Sequence, residues 1–355
     1  MEGVQGHLPR RLGVAALALL ASLALWVLLP RRHAPVGEAP RIPAREEIRV
    51  LALGDINLGR RLGQRILRGD TLYPFARVTD TLRSFDVVFA NLESTISDQR
   101  GLTEDPHNNM VFTAPPAAAR ALRRAGVTVV STANNHALDF GPGAVRETIR
   151  YLDSAGIAHA GTPEPGGGLY APARLRVRGF RISVFAVTDL MNGRRMWTNL
   201  VAPADTGRLL PAIRAEREST DVVLVSFHGG VEYSPGPSAR TRAFAEDVLA
   251  GGADVVLGHH PHVPYGMTLE GGKLAVHSLG NFVFMQPRRY WTRFSYALAL
   301  DIVRDAWGTR LRAVDVLPLR SGFQPEFIAA GADADAVRKR VRLFSSLGVR
   351  EQLTW

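Results

Sequence analysis

Short, continuous apolar runs separated by amphipathic segments fill the sequence after residue 46, and this alternation constrains the fold more than any other feature. Such runs are typical of strands buried on both faces, and the segments between them carry apolar residues at helical spacing. The predicted strands are 48–53, 87–90, 127–131, 181–187, 222–227 and 255–257. The predicted helices lie near 74–84, 115–125, 142–155, 206–218 and 239–250. This order predicts an α/β domain with largely parallel, buried strands over residues 47–330.

The pattern changes after residue 264 to a series of strands and a last helix. The strands are predicted at 264–269, 274–279, 294–303 and 310–317, and the helix at 333–347. One face of this helix is apolar and the other is basic. We expect the segment 331–355 to pack on the domain through the apolar face, while contact of the basic face with lipid is the alternative.

An apolar run at residues 12–29 precedes the domain. As a helix it would be roughly 27 Å long, which is close to the hydrocarbon thickness of a bilayer. A cleaved signal peptide is the alternative, but Arg31 and Arg32 stand where a small-residue cleavage site would be. We therefore expect an uncleaved anchor. The predicted divisions are a cytoplasmic tail (1–11), a transmembrane helix (12–29) and a Pro- and Ala-rich linker (30–46).

The composition excludes several kinds of site. No cysteine occurs in the 355 residues, so disulfides, thiolate metal ligands and a cysteine nucleophile are excluded. The net charge is +10, which attraction to a polyanion or an arginine-rich base composition would each explain. No basic-aromatic module typical of nucleic-acid binding is present, so no nucleic-acid partner is expected.

Residues able to bind metal follow five of the predicted strands. Ligands in open α/β sheets bind outside the carboxyl ends of the strands, so these residues are expected to converge on one crevice. Each group alone could be a turn or a helix cap, but together they predict a shared site. Carboxylate, amide and imidazole ligands suit one or two divalent ions of Mn, Fe, Zn or Mg. The groups are Asp55 and Asn57; Asn91 and Glu93; Asn134, Asn135, His136 and Asp139; His228 and Glu232; and His259, His260 and His262.

Six motifs make the pattern more specific: GDINLGR, FANLEST, ANNHALDFG, HGGVEY, GHHPHV and HSLGNF, in this order. Over residues 48–285 the chain resembles the CapA family of poly-γ-glutamate capsule proteins, within the calcineurin-like metallophosphatase superfamily. The resemblance implies a metallophosphatase-like α/β sandwich. It also implies a domain outside the cytoplasmic membrane. The arginines favour the opposite orientation, because four between residues 31 and 45 outnumber Arg10 and Arg11.

The resemblance also implies individual roles. The residues that resemble metal ligands are Asp55, Glu93 as the bridging carboxylate, Asn135, His228, His260 and His262. His136 resembles the catalytic residue beside the scissile group, as an acid or a charge stabiliser. His259 stands at a variable position of the family and receives no role. The superfamily motif Asp-x-His is here Asp55-x-Asn57, so one of the two metal positions is expected to be weakly filled.

Further residues are weaker candidates for substrate binding. They are Asn57, Glu232, Asn281, Arg288 and Arg289. A turn, a salt bridge or a solvated loop would explain each of them equally well.

Three functions remain open at this point. The first is a membrane-anchored component of capsule or poly-γ-glutamate biosynthesis, export or anchoring. The second is a metal-dependent phosphoesterase acting on an envelope phosphate ester, and the third is a binding module without turnover. The expected partners are an anionic polymer or phosphate-ester substrate, the membrane, and membrane-bound capsule-synthesis subunits.

Overall fold

The computed structural model describes residues 46–163, 166–192 and 197–346, together with the backbone at 353–354. The predicted tail, the transmembrane helix and the linker up to residue 45 lie outside the described residues. No helix within the described ranges is long and apolar enough to cross a membrane.

The described chain contains two large sheets and a set of helices. The strands are β1 (Glu46–Ile56), β2 (Val87–Leu92), β3 (Thr95–Ile96), β4 (Glu104–Asp105), β5 (Asn108–Ala114), β6 (Val129–Ser131), β7 (Ala158–Ala160), β8 (Ala173–Val177), β9 (Phe180–Thr188), β10 (Val222–His228), β11 (Val255–His259), β12 (Met267–Glu270), β13 (Lys273–Val276), β14 (Asn281–Val283), β15 (Phe294–Asp305), β16 (Gly308–Arg320), β17 (Glu326–Phe327) and β18 (Leu353–Thr354). The helices are α1 (Arg60–Leu67), α2 (Thr79–Arg83), α3 (Ala117–Ala125), α4 (Gly141–Ala155), α5 (Thr206–Arg217), α6 (Ala239–Ala250), α7 (Tyr290–Arg293) and α8 (Ala332–Leu343), with a 3-10 turn at Tyr73–Phe75.

Both large sheets are mixed, with parallel strands at the centre. The first has the order β17-β16-β15-β1-β2-β6-β7, and β14 and β18 pair with β1 and β16. In it β1, β2, β6 and β7 are parallel. β15 is antiparallel to β1 and β16, and β16 is antiparallel to β17 and parallel to β18. The second has the order β12-β13-β11-β10-β9-β8, with β9, β10, β11 and β13 parallel. A small third sheet joins β3, β5 and β4.

The two sheets pack face to face and helices cover both outer faces. Val50 and Phe89 of the first sheet share one buried cluster with Leu224 and Leu257 of the second. The other face of the first sheet packs against α1 to α4, and that of the second against α5 and α6. Burial of both faces of each sheet explains why the strands read as continuous apolar runs. The predicted α/β fold is confirmed, as a four-layer sandwich.

Some elements differ from the sequence-based prediction. The helix expected near 74–84 is a 3-10 turn followed by the short α2. The sequence pattern also missed α1, β5, β8 and β14. The last helix ends at Leu343, and its Val337 and Val341 are fully buried in the core between the sheets.

Candidate metal centre

The carboxyl ends of the central strands of both sheets meet at one edge of the sandwich, and the strand register sets their polar residues side by side. In the first sheet Asp55 of β1 pairs with Asn91 of β2 and with Asn281 of β14. In the second sheet His228 of β10 pairs with His259 of β11. All five residues are buried. This is the edge at which ligands bind in open α/β sheets.

Asp55, Glu93 and His262 form a buried cluster whose ligand atoms all lie within 4.8 Å of one another. His262 Nδ1 lies 3.2 Å from Asp55 Oδ2, and His262 Nε2 lies 3.5 Å from Glu93 Oε1. Two carboxylates and one imidazole form a donor set suited to Mn, Fe, Zn or Mg. The cluster could therefore hold a divalent ion.

The two carboxyl groups have opposite electrostatic environments. Burial pushes the pKa of Asp55 upward, but hydrogen bonds from His259 and His262 outweigh burial and hold this pKa well below its usual range. Burial raises the pKa of Glu93 well above its usual range, and the charge of Asp55 raises it further. Without a cation the pair therefore favours one charged carboxylate, Asp55, and one neutral carboxyl, Glu93.

Several polar atoms at this edge have no hydrogen-bond partner among the described residues. Glu93 Oε1, His259 Nε2 and His260 Nδ1 are buried and accept or donate no hydrogen bond among the described residues. An unpaired buried polar atom costs about 1–3 kcal/mol, so such atoms are rare unless a ligand completes them. Because all three atoms are of types that bind divalent cations, the residues present fit a metal ion.

The loop after β11 has unusual backbone geometry. His260 and His262 have φ angles of +94° and +58°, in the left-handed region that residues with a Cβ rarely adopt. Conformations of this kind cost about 1–3 kcal/mol each and are concentrated at functional sites. Burial and the neighbouring His262 lower the pKa of His260 to about 3, so this imidazole is neutral at pH 7. A neutral imidazole is the form that binds a metal.

His228 is hydrogen-bonded at both ring nitrogens. Its Nε2 lies 2.8 Å from Asn135 Oδ1, and its Nδ1 lies 3.2 Å from Asn91 Nδ2. Burial lowers the pKa of His228 well below its usual range, and His260 lowers it further. The predicted ligands His228 and Asn135 therefore both lie at the site, hydrogen-bonded to each other.

His136 is held on three sides. Its Nδ1 lies 2.8 Å from Asp139 Oδ2, and its ring stacks on Phe112 with a centroid distance of 4.2 Å. Its Nε2 lies 4.0 Å from Glu93 Oε1 and 3.5 Å from Asn192 Nδ2. Asp139 thus fixes the ring so that Nε2 faces the acidic cluster.

A cavity of about 460 Å³ opens beside this cluster. Its lining includes His136 and His262 together with three of the weaker candidates, Glu232, Arg288 and Arg289. The guanidinium of Arg289 lies 4.7 Å from the centroid of the Tyr233 ring.

The other two weaker candidates make internal contacts. Asn281 Oδ1 lies 2.8 Å from His262 Nδ1, so this residue orients the imidazole. Asn57 Oδ1 accepts a hydrogen bond from Gly59 N at 2.8 Å, which shapes the turn before α1. Asn281 is not part of the lining of the 460 Å³ cavity, whereas Asn57 lines an adjoining cavity of about 210 Å³.

A profile of the family described as bacterial capsule synthesis protein PGA_cap matches residues 49–286. The chain belongs to this family. The matched region contains every predicted metal ligand and ends before Arg288. The CapA-type resemblance is thereby confirmed.

Three curated proteins are related to this PGA_cap member over most of its length. The capsule biosynthesis protein CapA of Bacillus anthracis is 29% identical over 346 residues, which cover 94% of this chain and 81% of that protein. The PGA biosynthesis protein CapA of Bacillus subtilis (strain 168) is 29% identical over 249 residues, covering 68% and 63%. A probable polyglutamine synthesis accessory protein of Mycobacterium tuberculosis is 26% identical over 323 residues, covering 84% of each chain.

Solved structures resemble the chain more distantly. A hypothetical protein from Thermus thermophilus aligns with a TM-score of 0.45 at 21% identity, covering 79% of this chain and 99% of that one. The 5'-nucleotidase from Candida albicans aligns with a TM-score of 0.40 at 12% identity, covering 73% and 52%. Both TM-scores are too low to bear on the fold or the function of this PGA_cap member.

Asn91 and His259 contact the acidic cluster but received no individual role from the sequence. Asn91 Nδ2 donates to Asp55 Oδ1 at 2.8 Å, and His259 Nδ1 lies 3.2 Å from the same oxygen. Asn91 precedes Glu93 by two residues, and His259 is the last residue of β11. Their position at a strand end could have identified both residues. His259 was given no role because the family is variable at that position.

Proposed function

We propose that this chain acts at the cell envelope in the biosynthesis, export or anchoring of capsule or poly-γ-glutamate, and that its strand ends hold one or two divalent metal ions. The buried cluster of Asp55, Glu93 and His262, in a chain of the capsule synthesis family, is the observation that carries the proposal. The proposal includes assignment to the calcineurin-like metallophosphatase superfamily. It also includes an anionic polymer as partner and anchoring through residues 12–29, with membrane-bound capsule-synthesis subunits nearby.

Metal analysis of the purified full-length chain tests the site. After incubation with Mn, Fe or Zn and removal of free ion, elemental analysis is expected to find bound metal in the wild type. His262→Ala removes one member of the cluster and should lower the metal affinity more than ~10-fold, since even outer-shell changes cost that much. His107→Ala is the matched control, because His107 is exposed and lies outside the cluster. Absence of metal from the wild type would overturn the metal centre.

Deletion of the gene in the strain that carries it tests the biological role. We expect less γ-glutamyl polymer at the cell surface, and restoration by the wild-type gene. Equal restoration by His262→Ala would show that the capsule role does not need the cluster, which is the outcome expected of a binding module without turnover. Unchanged polymer after deletion would overturn the capsule role.

A second candidate function is hydrolysis of an envelope phosphate ester. The observation that favours it is the placement of His136, whose Nδ1 is held by Asp139 while its Nε2 faces Glu93 and the cavity. A bound divalent ion would supply Lewis-acid stabilisation of negative charge on the substrate. In its protonated form His136 would donate from Nδ1 to Asp139 and from Nε2 towards the cavity, where a leaving oxygen could accept the proton. The arginines of the cavity would orient an anionic substrate.

A further inference from the structure

Arg60 lies at the junction of two cavities beside the acidic cluster. It lines the 460 Å³ cavity and also an adjoining one of about 210 Å³. The two cavities share Asn109, Phe284 and Met285 as well, so they form one continuous groove. Arg60 is therefore central to any ligand that extends along the groove.

The backbone of Arg60 is fixed in a strained conformation. Its φ angle is +52°, in the left-handed region. Thr103 holds this conformation from both sides, because its carbonyl oxygen accepts from Arg60 N at 2.8 Å and its Oγ1 donates to Arg60 O at 2.8 Å. Asn57 adds the contact to Gly59 N that shapes the same turn. Strain that the surrounding contacts maintain is a mark of a functional position.

Two contacts position the side chain of Arg60. Its guanidinium stacks over Phe112 at 4.3 Å, and the other contact of the group is to Met110 Sδ at 3.6 Å. Arg60 Nε is buried and makes no hydrogen bond, and within the described ranges no carboxylate pairs with the guanidinium. Burial lowers the pKa of Arg60, and the charges of Glu104, Asp139 and Glu93 offset this effect only in part. Phe112 also stacks on His136, so one ring positions both side chains.

We propose that Arg60 binds an oxyanion of the ligand, a carboxylate or a phosphate, at the junction of the two cavities. The proposal rests on the function proposed above, which supplies an anionic ligand. A guanidinium presents a planar fork of donors that matches either oxyanion in a bidentate way. Arg61 lines the smaller cavity, and Arg288 and Arg289 line the larger one. With Arg60 they outnumber the two glutamates of the same linings, Glu104 and Glu232, so an elongated polyanion would meet a net positive groove.

Binding of two probes to the full-length protein tests this assignment. Calorimetric titrations use inorganic phosphate and a γ-linked glutamate pentamer, which separate the two sources of oxyanion. Arg60→Gln should weaken binding of the accepted probe about tenfold or more, because a hydrogen bond to a charged group is lost. Arg60→Lys keeps the charge without the fork and should give an intermediate affinity. Arg68→Gln is the matched control, since Arg68 is exposed and follows the far end of α1. The Arg68→Gln protein should bind the accepted probe with the affinity of the wild type.

The outcomes separate this proposal from the function it rests on. Phosphate binding that depends on Arg60, without pentamer binding, keeps the role of Arg60 and removes the polymer. Binding of both probes with equal affinity in the wild type and Arg60→Gln keeps the polymer and overturns the role of Arg60. A wild-type protein that binds neither probe also overturns the role of Arg60.

A second measurement needs only the wild-type protein, so it tests the proposal even if the Arg60→Gln variant does not fold. Arginine modification by phenylglyoxal, mapped by peptide mass spectrometry, should be slower at Arg60 when the accepted probe is present and unchanged at Arg68. Equal modification of Arg60 with and without the probe contradicts the proposal.

Discussion

At the scale of single residues, burial is the main determinant of the charge of His277. His277 follows β13, is 4% exposed, and makes one hydrogen bond between Nε2 and Thr268 Oγ1 at 3.0 Å. Burial, together with the smaller effect of the Arg242 charge, lowers the pKa of His277 to about 4. The residue lies away from the predicted metal ligands, so its titration reports on folding alone.

His277→Gln should flatten the pH dependence of stability. Between pH ~6.5 and about 4 the unfolded chain binds a proton at His277 and the folded chain does not, so stability rises with pH in this window. Lowering the pH from 7 to 4 should therefore cost the wild type about 3 kcal/mol through this residue, and the variant none of it. Urea unfolding at both pH values measures the difference. His107→Gln should keep the wild-type slope, and an equal slope in His277→Gln would show that the residue is not the source.

His136→Ala separates a catalytic role from a metal-binding one. If His136 acts as acid or charge stabiliser, the variant should hydrolyse a generic phosphodiester about 10²–10⁴-fold more slowly than the wild type. Its metal content should stay near that of the wild type, because Asp55, Glu93 and His262 are unchanged. The measurements are turnover of the metal-loaded protein and elemental analysis of the same sample. Loss of metal from this variant would mean that His136 is a ligand.

At the scale of elements, the site depends on a close approach between β1 and the turn before β14. Asp55 N donates to Gly280 O at 3.0 Å, and Asp55 pairs with Asn281. A Cβ on Gly54 would lie 1.9 Å from Gly280 O. The glycine in the first motif is therefore required by backbone packing, and the aspartate beside it is positioned by the same contact.

Gly54→Ala should destabilise the fold by about 3 kcal/mol, because two backbones would have to separate. The matched control is Gly143→Ala in α4, where an added Cβ meets nothing within 4 Å. That variant should be neutral or gain up to ~1 kcal/mol from helix propensity. Urea denaturation of both variants gives the comparison. A Gly54→Ala protein as stable as the wild type would contradict the packing argument.

The long buried strands could be predicted from the sequence because burial on both faces leaves a continuous apolar run, as in β10. Other elements gave no such signal. Helix α1 has Leu62 and Ile66 at helical spacing on its buried face, but it is only eight residues long and contains Gly63, so the pattern is too short to stand out in the sequence. Strand β14 is three residues long and forms only because β1 lies beside it. At the site the strand ends identified the acidic cluster, but the contact between His228 and Asn135 depends on tertiary packing.

At the scale of the whole molecule, the orientation of the domain relative to the membrane is the main open prediction. The proposed capsule role requires the domain outside, whereas the arginines flanking residues 12–29 favour the inside. Protease added to intact spheroplasts should digest the domain while a cytoplasmic control protein stays whole. If the domain survives until detergent is added, it faces the cytoplasm and the capsule-handling role fails.

The antiparallel pairing of β1 with β15 also determines the order in which the protein can be assembled. β1 is the first strand of the domain to be synthesised, yet residues 46–52 pair with residues 298–304. The family match ends at residue 286, so a fragment with these boundaries would lack β15 and leave one side of β1 as an open edge. Open edges of this kind promote aggregation, and pairing between distant segments is slow. We therefore expect the first sheet to be completed only after the last strands have been synthesised, and a fragment with the family-match boundaries to be prone to aggregation.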